Sequence, residues 1–485
     1  MIRLFALIAC VACFLVACTS PDARQSDGAQ ALFIPGSELV AGGGGTRPED
    51  QNGDTTPVSG AGGQRPTKIT VHAAVLEALT YNWQILFARE QETIASLGAD
   101  EAKSFMIPFV TGGVRYDRLS TQPSAVFAPA GGGIETTFPT SPTSQYNAEI
   151  RADFPVFASG RYLYSYRAAK LSAQGASHDR AATEMDVAEL VTSAAYDLQL
   201  TIELVEVALE NERAFDRQVK DARSQFDAGR VTKEAVLEAE VEHLNAVRTR
   251  ERQETLVPIQ AMVLNRFLGR KSDAPIEILD APLNEKPTWV ESNILEAALL
   301  GRPEINSARL GLDAAEKNSK AVCGGEAPEL RGSLGWTATD NDFQNPKDNG
   351  FFRLDLEVPI YRGGGSRARI RSAKRQIEQA RIRLRDIEAA VENEVSQVFR
   401  EVNEEFKDIR VAERSVELQT EALRIQRRKF ENGRATSRDV LTSTSVLTEA
   451  KVAAVSALYD YNVALMKLHR VRGADPRLAP QAKPE

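Results

Sequence analysis

The sequence has few of the residues that usually build catalytic or metal sites. Only four cysteines and four histidines occur in 485 residues, and the histidines are too scattered to form an HExxH or Cys/His set. No G-x-S-x-G motif, dinucleotide-binding fingerprint or P-loop is present. Glutamates at helical spacing are numerous, but such residues are typical of solvated helix faces. We therefore expect no catalytic residue, no cofactor and no metal site, and we set the enzyme alternative aside.

Proline is missing from two long stretches, 156–257 and 360–475. From Ile370 to Val402, apolar residues recur at steps of three and four, which is a heptad seam. Each stretch therefore predicts a helix of about 60 to 65 residues, or about 90 to 100 Å at 1.5 Å per residue. Helices of this length do not build a compact globule.

Long apolar runs are confined to the start of the chain. Residues 4–17, which follow Arg3, are too few for a permanent membrane helix and predict an export signal. The sequence Leu-Val-Ala-Cys at 15–18 resembles the lipobox of bacterial lipoproteins. This resemblance implies removal of 1–17 and acylation of Cys18; a plain signal peptide with an incidental cysteine is the alternative. Thr19 stands where an aspartate would be the usual signal for inner-membrane retention, so the resemblance implies the outer membrane.

After lipidation, Cys323 would be the only free thiol, so no internal disulfide is expected. Its Cys-Gly-Gly context predicts packing at a helix end. Residues 18–66 are rich in Gly, Pro, Ser, Thr and Asp and predict a flexible tether, and residues 474–485 predict a loose tail. A formal net charge of −8 argues against nucleic acid as a partner.

Residues 155–269 and 359–473 are two copies of one unit at a constant offset of 204 residues. The matching pairs are Pro155/Pro359, Gly160/Gly364, Phe226/Phe430, Gly229-Arg230/Gly433-Arg434 and Gly269/Gly473. We therefore predict a first repeat at 67–270, a linker at 271–290 and a second repeat at 291–473.

Each repeat contains segments in which apolar and polar residues alternate, which is typical of strands. The predicted strands cover about 109–118, 145–154, 329–338 and 351–358. Polar residues that a water-filled lumen would accept are Asn147, Glu149, Arg151, Asp153, Arg353, Asp355 and Glu357. Four strands cannot close on themselves, so strands in a membrane would need several chains to complete one barrel. A soluble β-sandwich or a sheet packed on the helices is the alternative.

Both long helices are predicted to end at the same motif, so that each unit is a hairpin with its tip at about 226–231 or 430–435. Glycine can take the left-handed conformation that ends a helix. Thr232 in the first copy, and Thr436 or Ser437 in the second, can cap the returning helix. The returning helices are predicted over about 232–268 and 436–470. Their predicted seam residues are Val236, Leu237 and Leu244, and Val440, Leu441 and Leu447. Shorter helices over 71 to about 97 and 292 to about 321 lead into the strands.

This duplicated order of helix, strand, loop, strand, Pro-turn, long helix and hairpin resembles the TolC family of outer-membrane efflux proteins. Matching residues are Leu300-Gly-Arg-Pro-Glu-Ile305, Pro359-Ile-Tyr-Arg-Gly-Gly-Gly365, and Gly433 with Asp439-Val440-Leu441. The resemblance covers residues 67–473. It implies a mainly α fold with a long α-helical coiled-coil barrel, and four β-strands per chain that complete a 12-stranded membrane barrel in a homotrimer.

The resemblance also implies partners: a periplasmic adaptor, an inner-membrane pump of the RND or ABC type, and outer-membrane lipid. The residues that match the family's adaptor contacts are Phe226, Gly229, Arg230, Phe430, Gly433 and Arg434, although the two phenylalanines could simply pack. Asp439 matches an acidic position that narrows the periplasmic entrance of family members, whereas the next such position is Thr442 here. Copies of Asp439 around an axis would repel one another and attract cations.

The implied function is passive conduction through the outer membrane as part of a tripartite efflux system. Two alternatives stay open. One is the outer-membrane channel of a type I protein secretion system. The other is a non-channel periplasmic coiled-coil lipoprotein, although such a protein has no need of lipid-facing strands.

Overall fold

The computed structural model describes residues 67–121, 124–127, 134, 136–139, 143–280, 282–285, 289–340 and 347–477. All of them belong to one compact unit. The predicted export signal, Cys18, the tether over 18–66 and the last residues of the tail lie outside the described residues.

Helices dominate the described part of the chain, and they occur in matching sets in the two halves. The first half contains α1 (Val71–Tyr81), α2 (Trp83–Ser104), α3 (Arg161–Asp227) and α4 (Lys233–Phe267). The second half contains α5 (Glu291–Gly301), α6 (Pro303–Gly325), α7 (Gly365–Glu431) and α8 (Ser437–Val471). In the described residues, no helix combines the length and the apolar character needed to cross a membrane.

The strands form three sheets. The largest is antiparallel, with the order β2–β5–β7–β8, and consists of β2 (Phe109–Arg118), β5 (Ser144–Phe157), β7 (Glu329–Asp340) and β8 (Lys347–Glu357). A parallel pair joins β1 (Thr67–Ile69) to β6 (Ile276–Ile278). A hairpin of β3 (Ser124–Phe127) and β4 (Thr136–Pro139) lies in the loop between β2 and β5.

The two long helices, α3 and α7, have 67 residues each and would extend about 100 Å. Each begins after a glycine in the left-handed region, Gly160 at φ +79° and Gly364 at φ +83°, which turns the chain out of the sheet. The heptad seam predicted in α7 is partly or fully buried along its length, with Val391, Val395 and Val402 buried most deeply. Long helices with a membrane-type sheet confirm the predicted fold class.

The helices lie side by side in two layers, which we call the lower belt, near the hairpin tips, and the upper belt, near the sheet. Near the hairpin tips the order is α4–α3–α8–α7, and near the sheet it is α2–α3–α6–α7. One core joins α1, α3, α4 and Tyr459 of α8, and a second joins α5, α7 and α8 around Tyr461. The duplication thus produces two related cores beneath one sheet. It leaves α4 and α7 at the edges of the lower belt, and α2 and α7 at the edges of the upper belt.

Each leading helix is broken in two, contrary to the single helices predicted from the sequence. Asn82 and Arg302 both take extended backbone angles near φ −66°, ψ 130°. The Asn82 side chain accepts a hydrogen bond from the Gln84 N–H at 2.8 Å and donates to the Phe267 carbonyl at 2.8 Å. Pro303 opens the second segment in the other copy. These breaks let α1 and α5 turn into the cores.

The carboxylate of Glu326 links the end of α6 to the start of α7, close to where these helices meet the sheet. Glu326, at the end of α6, accepts hydrogen bonds from the guanidinium groups of Arg369 (2.5 Å) and Arg362 (3.2 Å) and from the Ser366 hydroxyl (2.5 Å). The bond from Arg369, followed by that from Ser366, lowers the pKa of Glu326 to about 2. The α6 end is thereby clamped to the start of α7 at any physiological pH. Cys323, close by, is exposed, so its predicted packing is wrong.

Replacing Gly324 with alanine is expected to destabilise the close approach of the end of α6 to the start of α3. A Cβ at Gly324 would lie 2.7 Å from the Ser159 carbonyl oxygen and 2.9 Å from the Arg161 nitrogen, both backbone atoms. Overpacking of this kind costs about 1–3 kcal/mol of unfolding free energy. Gly325→Ala is the matched control, since its Cβ would meet the Arg161 side chain at 3.5 Å, an ordinary contact. Thermal unfolding of both variants tests this; equal stability of the two would contradict the close approach.

Candidate functional site

The register of the large sheet places all the predicted lumen residues on one face. Residues paired across strands share a face. Pairing joins Asp153 to Ser333 and Ser333 to Arg353, so the polar residues of β5 and β8 lie on the same side. Basic residues on this face are Arg115, Arg151, Arg331, Lys347 and Arg353. Acidic residues on it are Asp117, Glu149, Asp153, Glu329, Asp355 and Glu357. The two signs nearly balance, so this face favours neither cations nor anions strongly.

Short contacts within the polar face hold its side chains in place. The Arg151 guanidinium donates to Asp153 at 2.9 Å and lies 3.7 Å from Glu149. Asn147 Oδ1 accepts hydrogen bonds from Thr339 Oγ1 at 2.9 Å and from Gln145 Nε2 at 3.1 Å. Pairs of this kind are what remains stable beside water rather than beside lipid.

The opposite face of the sheet is apolar and uncovered. Its side chains are 45–71% exposed, and they are Val110, Val114, Ile150, Leu334, Trp336, Phe352, Leu354 and Leu356. Tyr116 and Tyr146 pack together at one end with tilted rings, their centroids 4.6 Å apart, and Phe157 lies at the other end. The rows from Leu330 to Asp340 cover about 33 Å of strand, or about 25 Å at a tilt of about 40°. The last two of these rows, where the apolar part of the face ends, also carry Asp348 and Asp340.

The two hairpin tips have the same backbone geometry. In the first, Gly229 (φ +69°) donates to the Phe226 carbonyl at 2.8 Å, and the Arg230 N–H donates to the Gln225 carbonyl at 2.8 Å. In the second, Gly433 (φ +67°) donates to the Phe430 carbonyl at 2.9 Å. The last N–H of that tip, from Arg434, donates to the Lys429 carbonyl at 2.8 Å. Both are Schellman motifs, which need a left-handed residue and thus favour glycine.

The tip side chains are largely free. Arg230 and Arg434 are exposed, and neither forms an ion pair with a described residue. Phe226 is 42% exposed, whereas Phe430 is half-buried. A Cβ added at Gly229 or at Gly433 would have no other atom within 4 Å. The tips therefore offer two exposed cations and open backbone, and the role of these residues stays a prediction.

Asp439 begins α8 as part of a capping box. Its Oδ2 accepts from the Thr436 N–H at 2.7 Å and from the Thr436 hydroxyl at 2.8 Å, and its own N–H donates to Thr436 Oγ1 at 3.3 Å. The backbone bond first, and then the hydroxyl bond, lowers the pKa of the Asp439 carboxyl. The ionised Asp439 carboxylate stabilises the folded chain fully when the pH is above the ordinary pKa of a carboxyl group. This stabilisation is lost as the pH falls through the lowered pKa of Asp439. Asp439 is therefore charged at neutral pH. In the first hairpin, Thr232 is the N-cap residue but makes no such side-chain bond.

A groove of 470 Å³ lies between the returning helices α4 and α8, just above the tips. Its lining includes Thr442, and an ion pair between Arg438 and Glu238 crosses it. The other lining residues are Glu234, Leu237, Val241, Glu242, Leu441 and Ser445. Sequence reasoning missed the groove because it depends on how α4 and α8 meet.

Two of the predicted seam residues of α4 do not pack inside the chain. Val236 is buried as predicted, but Leu237 is 51% and Leu244 is 65% exposed. On α7, Val411, Leu418 and Ile425 are also exposed, at 67%, 55% and 42%, with heptad spacing. That spacing is the sequence signal that could have revealed a second seam on the outer side of these helices.

Comparison with known proteins agrees with this architecture. Over 419 residues the chain is 24% identical to the outer membrane efflux protein BepC of Brucella suis, which covers 85% of this chain and 87% of BepC. It is 24% identical over 284 residues to the alkaline protease secretion protein AprF of Pseudomonas aeruginosa, 56% of this chain and 57% of AprF. A crystal structure of CusC superposes with a TM-score of 0.73 at 17% identity, covering 86% of this chain and 95% of CusC.

A family model also matches both repeats of the chain. Residues 74–270 and 294–474, which together make up more than half of the chain, match the model described as outer membrane efflux protein. The two matched segments fall on the two repeats seen in the sequence and in the fold. The chain belongs to the outer membrane efflux protein family.

Proposed function

We propose that this protein is the outer-membrane channel of a tripartite efflux system and conducts substrates passively to the cell exterior. The observation that carries the proposal is the four-stranded sheet with one polar and one apolar face, continued directly by helical hairpins of about 100 Å. BepC is named as an outer membrane efflux protein, and the CusC structure concerns transmembrane channel formation. A non-channel lipoprotein would leave the apolar face without a purpose.

The channel is proposed to be a homotrimer. Strands β2 and β8 are the edges of the sheet, and each has unpaired backbone groups that hydrocarbon does not tolerate. Pairing β2 of one copy with β8 of the next removes both edges, and three copies give twelve strands. Lipid on Cys18 would anchor the trimer further, with the tether over 18–66 on the periplasmic side.

The same closure brings together two rows of exposed apolar side chains near the hairpin tips, one on α4 and one on α7. On α4, Leu244 lies about four helical turns above the tip residue Arg230, and on α7, Leu418 lies about four turns above Gly433. Since α4 runs away from the tips and α7 runs toward them, the two rows are antiparallel and at matching heights. This pairing buries the exposed leucines that the chain alone leaves in water.

A disulfide between neighbouring copies tests the closure. In a Cys323→Ser background, Leu244→Cys combined with Leu418→Cys is expected to give covalent dimers and trimers under mild oxidation, measured by non-reducing gel electrophoresis. Leu244→Cys combined with Ile382→Cys is the control, because Ile382 lies near the sheet end of α7 and cannot reach Leu244. Crosslinking of the control pair, or none in the test pair, would contradict the arrangement.

We place the adaptor at the hairpin tips and the groove beside them. Exposed Arg230 and Arg434, the open glycines, and the Glu-lined groove offer both charges and apolar surface to a partner helix. The resemblance implies that an inner-membrane pump of the RND or ABC type supplies the energy, and the chain itself contains no P-loop.

Asp439 is proposed to line the periplasmic constriction. Asp439→Asn keeps an oxygen that can cap α8 but removes the charge, so the cation preference of reconstituted channels should fall by about twofold or more. Glu431→Gln, an exposed acid at the same tip, is the control and should change little. Bilayer conductance with a salt gradient measures both. An unchanged preference in Asp439→Asn would remove Asp439 from the gate.

Type I protein secretion is the second candidate, because AprF is named as a secretion protein for alkaline protease. The two functions differ in cargo. Deletion of the gene should raise sensitivity to small toxic compounds if the protein serves efflux, and should leave a protein substrate inside the cell if it serves secretion.

A further inference from the structure

Six exposed basic side chains lie just below the large sheet without an acidic partner. They come from three neighbouring helices of the upper belt, α3, α6 and α7. None of the six forms an ion pair with a described residue. We call this set the cationic band, and its members are Arg167, Lys170, Lys320, Arg367, Arg371 and Lys374.

The members of the cationic band lie at one level of the molecule. At 1.5 Å per residue, those on α3 lie about 9 and 14 Å after its first residue, Arg161. The member on α6 lies about 8 Å before its last residue, Gly325, and those on α7 lie about 3 to 14 Å after its first residue, Gly365. Each of these helix ends adjoins a strand of the large sheet. The cationic band therefore lies within about 14 Å of the sheet, measured along the helices.

Few acidic residues balance this charge. Neither residues 161–178 of α3 nor residues 365–377 of α7 include an Asp or a Glu. On α6 the acid within the same range is Glu316, which is half-buried. The edge helix α2 carries exposed acids at this level, Asp100 and Glu101, so the band is confined to α3, α6 and α7. In a chain of formal net charge −8, the band is a local concentration of positive charge.

The members on α3 and α6 lie on the outer side of the upper belt. Arg167 and Lys320 both lie over the ring of Tyr164, with the Arg167 guanidinium carbon and Lys320 Nζ each 5.7 Å from its centroid. Tyr162 is two residues away from Tyr164 and thus on the opposite side of α3, and its hydroxyl donates to Glu329 at 3.0 Å. Glu329 belongs to the polar face of the sheet, the lumen side of the proposed channel. The side of Tyr164 therefore faces away from the lumen.

The members on α7 share this outer side. Arg309 of α6 lies 3.6 Å from Glu388 of α7. Arg309 is about three helical turns from Lys320, and Glu388 is about four turns from Lys374, so each of these pairs lies along one face of its helix. The ion pair thus joins the face of α6 that carries Lys320 to the face of α7 that carries Lys374. The other two members on α7 precede Lys374 at steps of three and four and extend the same face.

We propose that the cationic band binds the headgroups of anionic phospholipids in the membrane leaflet that faces the periplasm. The inference rests on the proposed channel, in which the apolar face of the sheet lies in hydrocarbon. That face ends at Phe157 and Leu356, and the turn before α7 adds Ile360 and Tyr361, which are 94% and 86% exposed. The headgroup layer beside the hydrocarbon is about 5–8 Å thick. Attraction to its charge extends about 8 Å further at physiological ionic strength, which covers the height of the band.

A membrane surface fits the arrangement of these cations better than a dissolved anion does. The six side chains are spread side by side over three helices and do not converge on one pocket. Each Lys or Arg near an anionic bilayer adds to the attraction, and the effect fades over a Debye length. Three copies in the proposed trimer would surround the channel with such cations. Their attraction to the leaflet would hold the helices at a fixed depth below the membrane.

The test measures the lipid preference of the intact, full-length protein. Purified protein in mild detergent is mixed with equal amounts of phosphatidylglycerol, which is anionic, and phosphatidylcholine, which is zwitterionic. Native mass spectrometry then counts the lipids retained by each assembly. We expect about fivefold more phosphatidylglycerol than phosphatidylcholine at low salt, and no preference at high salt.

Neutralising half of the band should remove most of this preference. The variant Lys170→Gln/Arg367→Gln/Lys374→Gln is expected to prefer phosphatidylglycerol by less than about twofold. The matched control removes three exposed cations of α7 that lie about 30 to 68 Å beyond its first residue. It is Arg385→Gln/Arg400→Gln/Arg410→Gln, and it should keep the wild-type preference.

The same spectra separate failure of this inference from failure of the proposed trimer. A wild-type trimer without lipid preference, or an equal loss in both triple variants, would overturn the role of the band and leave the trimer standing. Binding of that trimer to isolated cell-wall polymer, with no preference for phosphatidylglycerol, would also overturn it, because the occupant would then be the wall. A mass of one chain would overturn the proposed trimer and this inference together.

Discussion

Replacing Leu334 with arginine is expected to keep the protein out of the membrane. Leu334 lies in the row Val110–Ala152–Leu334–Phe352, near the middle of the apolar face. An arginine on the lipid face of a barrel costs about 2–4 kcal/mol at the midplane, and the change recurs in every copy. Few proteins have stability to spare on that scale. The fraction recovered in outer membranes and the heat-sensitive trimer band on gels measure the loss.

Thr337→Arg is the matched control, on the same strand but the other face. Thr337 pairs with Glu149 and Asn349, and the new guanidinium would lie beside a carboxylate in the proposed lumen. Assembly should therefore stay close to that of the wild type. If both variants fail equally, or if Leu334→Arg assembles normally, the assignment of the two faces is wrong.

Replacing Gly433 with valine is expected to abolish export while leaving the channel assembled. At φ +67° a residue with a β-branched side chain is strained by about 1–2 kcal/mol or more. No atom lies within 4 Å of the added Cβ, so the strain is confined to the tip. Opening of the Schellman turn should reduce capture of the adaptor at least tenfold, or about 1.4 kcal/mol, in a pull-down from cells.

Gly311→Val provides the comparison, because Gly311 also has open space around it but ordinary helical backbone in α6. That variant should keep export, trimer and conductance. Normal export by Gly433→Val would show that the tip geometry is not what the adaptor reads, and loss of the trimer would show that the tip is needed for assembly.

The features that could be predicted from the sequence are those that depend on spacing along the chain. The alternation of apolar and polar residues predicts the two faces of the strands, and the heptad spacing predicts the long helices. The constant offset of 204 residues predicts the repeat. Thr436 and Ser437 were equal candidates for the cap of α8, and the capping box with Asp439 selects Thr436. Local patterns suffice here because backbone geometry follows from neighbouring residues.

The features that could not be predicted depend on contacts between distant parts. The break at Asn82 exists because its side chain bonds the Phe267 carbonyl, 185 residues away. Leu237 and Leu244 have the spacing of a seam, but the side of the helix on which their partner lies is decided by the fold and, in our proposal, by another copy. The exposure of Cys323 follows from the way α6 ends against the turn before α3, which no motif encodes.

The native mass of the full-length lipidated protein in mild detergent, with the detergent subtracted, tests the central claim most directly. A mass of three chains is the predicted result, because only additional strands can pair the open edges of β2 and β8. A stable monomer would contradict the account: the sheet would then keep its unpaired edges, and the chain could not form a channel through the outer membrane.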